Sequence, residues 1–124
     1  LIITTTAATE PILFADDIQP GTHITAMGSD TPAKQELESS ILEKAECVVA
    51  DSISQCIERG EISHALKDGK LKNNNIVELG HVLNGQHPGR TSQDQITVAD
   101  LTGVAVQDIQ IATAVYESFM ENES

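Results

Sequence analysis

The stretch Thr22-His23-Ile24-Thr25-Ala26-Met27, followed directly by Gly28-Ser29-Asp30, decides the fold. Its first six residues are nearly continuous in β-branched or apolar character, which is typical of a strand covered on both faces in a parallel sheet. The glycine then marks a turn, and a carboxylate follows it. Because open α/β folds bind their ligands at the carboxyl ends of the strands, Asp30 at this point predicts an active site.

Strand-like and helix-like segments alternate along the whole chain. Further strands are predicted at residues 1–5, 46–50 and 95–98. This alternation favours an α/β fold with a parallel sheet and right-handed crossovers, and a doubly wound nucleotide-binding sheet is the leading candidate. The predicted helices cover residues 36–45, 54–59, 62–67, 76–83 and 104–120, the last being the longest.

The charge and composition exclude several classes of partner. The net charge is −12, from 19 acidic against 7 basic residues, so a polyanion is a poor partner. One Tyr, two Phe and no Trp leave no aromatic ladder for single-stranded bases. No apolar run approaches the ~18 to 20 residues that cross a bilayer. We therefore expect a soluble chain that binds neither nucleic acid nor a membrane.

The cysteines and histidines do not form a metal-binding pattern. Cys47 and Cys56 are nine positions apart, which is not a metal-ligand spacing, and they are expected to be core thiols, with a disulfide left open. Two reduced cysteines suit a cytoplasmic protein. The four histidines have unrelated spacings, so no metal site is predicted.

The glycine pattern that binds pyrophosphate is missing from this sequence. No Gly-x-Gly-x-x-Gly turn occurs, so the residues correspond to the second mononucleotide half of a doubly wound fold. The chain also begins inside the apolar run Leu1-Ile2-Ile3, and we expect it to be cut from something longer.

Seven strings, in order, carry a family resemblance over nearly all 124 residues. They make the chain resemble the ornithine cyclodeaminase and mu-crystallin family, which includes the archaeal type of alanine dehydrogenase. The strings are Ile3-Thr4-Thr5-Thr6, Pro20-Gly21-Thr22-His23-Ile24, Gly28 through Leu37, Glu78 through Leu83, Gly89-Arg90-Thr91-Ser92, Gly103 through Asp108, and Val115-Tyr116-Glu117.

The resemblance implies a particular domain organisation. Residues 1–100 would be the C-terminal part of an NAD(P)-binding Rossmann domain. Residues 101–124 would form a C-terminal helix returning towards a dimerisation and substrate domain that is otherwise absent. A homodimer is expected for the longer parent, and a domain-swapped oligomer is open to the fragment.

The resemblance also implies the site. Asp30 falls on the catalytic carboxylate, which also contacts substrate; the alternative is an aspartate that merely caps a turn. NAD is the implied cofactor, with NADP left open. Lys34 is implied to contact it, or else is an ordinary surface lysine, and the threonines after the first strand could instead satisfy their own backbone. The implied cofactor-binding residues are Thr5, Thr6, Ile24, Thr25, Ala26, Met27, Lys34 and Thr102. Thr102 and Gly103 are also implied to contact the substrate.

Two departures from the family pattern bear on this site. Leu101 stands where the family often has a serine or threonine, so either Thr102 supplies the hydroxyl or one cofactor contact is missing. Ala33 replaces a glycine before the motif lysine, a change that matters only if that glycine needs a positive φ.

The function expected for the parent is that of an ornithine cyclodeaminase-like enzyme, with NAD-dependent hydride transfer at the α-carbon of a small amino or imino acid and release of proline and ammonia. The alternatives are an alanine dehydrogenase or ketimine reductase of the same family, or a crystallin-like NAD(P)H-binding protein without catalysis. Asp30 favours an enzyme, because the crystallin branch departs from the motif at the carboxylate. The isolated fragment is expected to be inactive.

Overall fold

Five short strands pair in parallel in the computed structural model, which describes residues 1–122. The order across the sheet is β1-β2-β5-β3-β4, so the last strand along the chain inserts between the second and the third. This arrangement confirms the predicted parallel α/β fold. The strands are β1 Ile2–Thr4, β2 His23–Ala26, β3 Cys47–Ala50, β4 Ile76–Glu78 and β5 Thr97–Asp100.

The helices are short, except for the last. They are α1 Ser39–Lys44, α2 Ile53–Cys56, α3 Glu61–Lys67, α4 Leu79–Leu83 and α5 Ala105–Asn122, with 3₁₀ turns at Ala15–Asp17 and Asn73–Asn75. The long C-terminal helix is confirmed, although residues 123 and 124 of the predicted range 101–124 lie outside the described residues. Within residues 1–122, no helix is both long and apolar enough to span a membrane.

The predicted helix over residues 76–83 is wrong in its first half. Ile76–Glu78 forms β4, which pairs with β3 in the register Val48↔Ile76. Only Leu79–Leu83 is helical. A short apolar run fits a strand and a buried helical turn equally well, so periodicity alone does not separate them.

Three other predicted boundaries also differ from the structure. The helix predicted from residue 36 begins at Ser39, because the Glu36 and Leu37 amides donate to the Glu61 carboxylate instead of entering the helix. The strand predicted over 95–98 is shifted to Thr97–Asp100, and the helix predicted over 54–59 is replaced by Ile53–Cys56.

The core lies on one face of the sheet. Alternate residues of β2, β3 and β5 point into it and pack against side chains from α1 and α3. Cys47 and Cys56 are both buried and free, which confirms the core thiols and shows no disulfide. The largest contributors are Ile24, Val48, Val98, Leu37, Ile41, Leu42 and Ile62.

Gly60, directly before α3, is a position that tolerates no side chain. Its φ is +89°, and an added Cβ would lie 2.7 Å from both Asp100 Oδ2 and Thr102 Cγ2. We expect Gly60→Ala to lower the free energy of unfolding by about 1–3 kcal/mol through backbone strain and overlap. Denaturant unfolding measures this, with Gly80→Ala as the matched control because no atom lies near its Cβ position. Equal stability of the two variants would contradict the expectation.

Candidate active site

The carboxyl ends of all five strands meet at one edge of the sheet, since every pairing is parallel. Thr5 and Thr6 follow β1, Met27 through Asp30 follow β2, and Leu101 through Gly103 follow β5. These three strands are neighbours in the order β1-β2-β5. The structure therefore brings the segments predicted to form the site to adjacent positions on the ligand-binding edge of an open α/β sheet.

Asp30 is exposed at this edge and forms an ion pair. Its Oδ1 lies 2.7 Å from Lys34 Nζ, and its amide donates to the Gly28 carbonyl at 3.1 Å. The Lys34 hydrogen bond and positive charge lower the pKa of Asp30 below its ordinary value. The side chain is therefore an ionised carboxylate near neutral pH, able to accept a proton and to stabilise a neighbouring cation.

The threonines after β1 are held mainly through their backbone. The Thr6 amide donates to Glu36 Oε2 at 2.5 Å, while the Thr6 hydroxyl accepts the Ala8 amide at 3.2 Å. Thr5 and Thr6 are both exposed. The alternative to cofactor binding was that these threonines hydrogen-bond to nearby backbone, and the Thr6 hydroxyl makes such a bond with the Ala8 amide. A cofactor role for Thr6 therefore stays a prediction.

The predicted cofactor contacts at β2, Ile24, Thr25 and Ala26 in the strand and Met27 directly after it, do not all point the same way. Ile24 and Ala26 are buried in the core. Thr25 points to the opposite face, where its hydroxyl lies 3.2 Å from His23 Nε2. Met27 is 50% exposed and presents a large apolar side chain at the edge. Of these residues, Met27 is the one whose side chain is placed to contact a ligand.

Thr102 and Gly103 are tied to Asp51, at the end of β3. The buried Thr102 hydroxyl donates to Asp51 Oδ1 at 3.3 Å, and the Gly103 amide donates to Asp51 Oδ2 at 2.8 Å. No atom lies within 4 Å of a Cβ built on Gly103. The space beside the Gly103 Cα is therefore open, whereas the Gly103 amide and the Thr102 side chain are engaged within the protein.

Three buried carboxylates that the sequence analysis missed connect the parts of this edge. Asp100 Oδ2 accepts the Ile62 amide at 2.8 Å, at the start of α3. Glu61 Oε1 and Oε2 accept the Glu36 and Leu37 amides at 2.8 and 3.0 Å. Glu36 in turn accepts the amides of Thr6 and Gly28. We call Asp100, Glu61 and Glu36 the carboxylate relay.

The relay residues have displaced pKa values. Burial raises the pKa of Asp100 to about 8 and that of Glu61 to about 7, with neighbouring acids adding to both. Burial also acts to raise the pKa of Glu36, but the hydrogen bonds it accepts, led by the Thr6 amide, outweigh burial and lower it. No sequence signal identifies them, because exposed acids such as Asp17 and Asp108 also stand directly before an apolar residue.

The motif around Arg90 lies at the opposite edge of the sheet. The Arg90 guanidinium donates to the carbonyls of Gly21 and Thr22 and to Thr97 Oγ1, at 3.1–3.2 Å. His23 Nδ1 lies 2.7 Å from the same Thr97 oxygen, and burial and the Arg90 charge lower the pKa of His23. This motif therefore fastens a loop to the amino ends of β2 and β5 and does not face Asp30.

No cluster of three or more metal-ligating side chains occurs among residues 1–122. The parallel five-stranded sheet with its flanking helices places the chain in the Rossmann-like α/β class. The model of the ornithine cyclodeaminase/mu-crystallin family matches residues 1–123, and the chain belongs to this family.

Three relatives illustrate the match. An uncharacterized cyclodeaminase of Sinorhizobium fredii is 42% identical over 100% of this chain and 38% of its own length. A Δ1-pyrroline-2-carboxylate reductase of Bacillus cereus is 39% identical over 98% of this chain and 38% of its own. The structure of an archaeal alanine dehydrogenase dimer with bound NAD superposes with a TM-score of 0.90 and 38% identity, over 99% of this chain and 39% of that one. The chain thus spans less than two fifths of the length of these relatives.

Proposed function

We propose that this chain is part of an NAD(H)-dependent enzyme that transfers hydride at the α-carbon of a small amino or imino acid. The observation that carries the proposal is the exposed, ionised Asp30, which is paired with Lys34 at the carboxyl edge of the sheet. The chain that carries it belongs to the ornithine cyclodeaminase/mu-crystallin family. Ornithine cyclodeamination is the specific activity that we expect. The alternatives are oxidation of alanine, reduction of a cyclic ketimine, and cofactor binding without turnover.

The residues at the edge fit the nicotinamide end of the cofactor. Met27 offers an exposed apolar side chain to a planar ring, Gly103 leaves open space beside its Cα, and Lys34 supplies a positive charge. When bound, NAD would supply an acceptor and a donor of hydride. Thr5 and Thr6 would border it from the neighbouring strand. The chain contains no pyrophosphate-binding glycine turn, so we propose that residues beyond this chain bind the phosphates.

Asp30 would move the proton that accompanies hydride transfer. Oxidation of an amino acid to its iminium form removes a hydride from carbon and leaves a proton to be taken from nitrogen. A carboxylate within hydrogen-bond reach accepts that proton and stabilises the positive charge of the iminium. Asp30 is ionised near neutral pH and can therefore accept a proton, although the hydrogen bond and charge of Lys34 lower its pKa and so weaken it as a base.

We also propose the organisation of the longer protein. Residues 1–100 would form the C-terminal part of the cofactor domain, and residues 101–124 would lead to a substrate and dimerisation domain. Every described residue of α5 is exposed, including the apolar side chains of Ile109, Val115, Tyr116 and Phe119. A helix with such an apolar stripe normally packs against another surface, which supports this organisation.

The test is a steady-state assay of a family-length polypeptide carrying these residues, in which NADH absorbance and proline formation are followed together. Ornithine, alanine and a cyclic ketimine are offered separately. Proline from ornithine without net NADH identifies a cyclodeaminase, NADH from alanine a dehydrogenase, and NADH consumption with the ketimine a reductase. Tight NADH binding without turnover of any of the three would contradict an enzyme and favour the crystallin-like function.

A further inference from the structure

Glu36 joins the two loops that flank the proposed reaction site. It lies six residues after Asp30 and is completely buried. Its Oε2 accepts the Thr6 amide at 2.5 Å, after β1, and its Oε1 accepts the Gly28 amide at 2.9 Å, after β2. One carboxylate therefore links the backbone that would border the cofactor to the turn that presents Asp30.

The space around this junction is filled. A Cβ built on Gly28 would lie 2.3 Å from the Thr6 carbonyl oxygen and 2.4 Å from Glu36 Oε1. Neither the glycine nor the carboxylate can shift without moving the other loop. Close packing of this kind fixes the separation of the β1 and β2 loops to a fraction of an ångström.

The Glu36 backbone is itself fixed by hydrogen bonds to a second buried acid. Glu61 accepts the amides of Glu36 and Leu37, and Asp100 accepts the Ile62 amide next to Glu61. The relay thus runs from the end of β5 to the ends of β1 and β2, the three strands that carry the candidate site. Lys34 and Asp30, by contrast, are paired at the exposed surface.

We propose that Glu36 is a positioning residue: its carboxylate sets the distance between the Thr6 side of the cofactor site and the turn that carries Asp30. This inference rests on the proposed function. Hydride transfer is sensitive to such a distance, because misplacement of a reacting group by about 1 Å costs on the order of a hundredfold in rate. Glu36 touches neither substrate nor cofactor and acts through the backbone of Gly28 and Thr6.

The test compares Glu36→Gln with the wild type in the family-length protein. Glutamine has a single acceptor oxygen, so its amino group would face one of the two backbone amides. The single-turnover rate of NADH oxidation or formation, per cofactor-loaded site at saturating substrate, should fall about a hundredfold. Amide hydrogen exchange at Thr6 and Gly28 should accelerate at least about tenfold.

The matched control is Glu38→Gln. Glu38 also accepts a backbone amide, that of Ala15 at 2.7 Å, but it contacts neither loop of the site. This variant should keep the wild-type rate and the wild-type exchange at Thr6 and Gly28. If Glu36→Gln does not fold, Glu36→Asp replaces it, since aspartate keeps the charge but is too short to reach both amides. Its single-turnover rate should fall about tenfold or more below that of the wild type.

The outcomes separate the two proposals. A folded Glu36 variant with lower thermal stability but an unchanged rate per loaded site, or with unchanged exchange, would overturn the positioning role and leave the proposed function intact. A wild type without turnover would overturn the proposed function, and the exchange data would then still decide whether Glu36 holds the two loops together.

Discussion

Asp30→Asn in the family-length protein should lower kcat by about 10²- to 10⁴-fold, the range usually contributed by a general acid or base. Asparagine has nearly the same shape and can still accept a hydrogen bond from Lys34, so the turn should keep its conformation. It cannot accept the proton that the substrate nitrogen releases when the α-carbon is oxidised. NADH affinity should therefore change little while turnover is lost. Steady-state kinetics with an NADH titration measure both quantities.

Asp16→Asn provides the matched control. Asp16 is fully exposed and is also paired with a lysine, with Oδ1 3.8 Å from Lys44 Nζ, in the 3₁₀ turn at Ala15–Asp17. Its replacement removes one charge and one ion pair without touching the carboxyl edge, so kcat should stay at the wild-type value. Wild-type turnover in Asp30→Asn would show that Asp30 only caps the turn after Gly28.

Asp100→Asn should change how stability depends on pH. Burial raises the pKa of Asp100 to about 8 in the folded state, from an ordinary 3.8. Between about pH 4 and pH 8 the folded chain keeps a proton that the unfolded chain has released, so the free energy of unfolding falls as the pH rises. At about 1.4 kcal/mol per pKa unit, a shift of about four units makes the loss on the order of several kcal/mol. Asparagine imitates the protonated acid and should remove most of this loss.

Urea unfolding at a series of pH values gives the free energy of unfolding of each protein. The effect of the substitution is the value for the variant minus the value for the wild type. The difference should grow from about pH 4 to about pH 8 and then level off. Asp94→Asn removes the same charge from an exposed position and should give a difference that stays nearly constant. A flat difference for Asp100→Asn would mean that the Asp100 carboxyl is already ionised at low pH in the folded protein.

Most of the architecture could be predicted from the sequence because it depends on local patterns. β2 and β3 are nearly continuous apolar or β-branched runs, and α5 has a regular apolar spacing, so each was predicted close to its observed bounds. β4 was missed because its three residues become a strand only through pairing with β3. The insertion of β5 between β2 and β3 depends on contacts between distant segments, which periodicity does not contain.

In the candidate site too, local features could be predicted from the sequence and contacts between distant residues could not. Asp30 was placed at the carboxyl edge because it follows a strand and a glycine, and its ion pair with Lys34 lies four residues away. The family resemblance itself is confirmed by the match over residues 1–123. The role of Glu36 could not be predicted, since its partners Thr6 and Glu61 lie 30 and 25 residues away. Carboxylates that bind backbone amides instead of cations leave no charge pattern in a sequence.

The two kinds of carboxylate at this edge differ in their response to ionic strength. The Asp30–Lys34 pair is exposed, so dissolved salt at about 0.1 M and above screens the attraction between its charges. The carboxyl groups of the relay residues Glu36, Glu61 and Asp100 are buried against backbone amides, where salt screens much less. Salt therefore weakens the attraction that lowers the pKa of Asp30 more than it affects the buried hydrogen bonds that hold the loop carrying this residue.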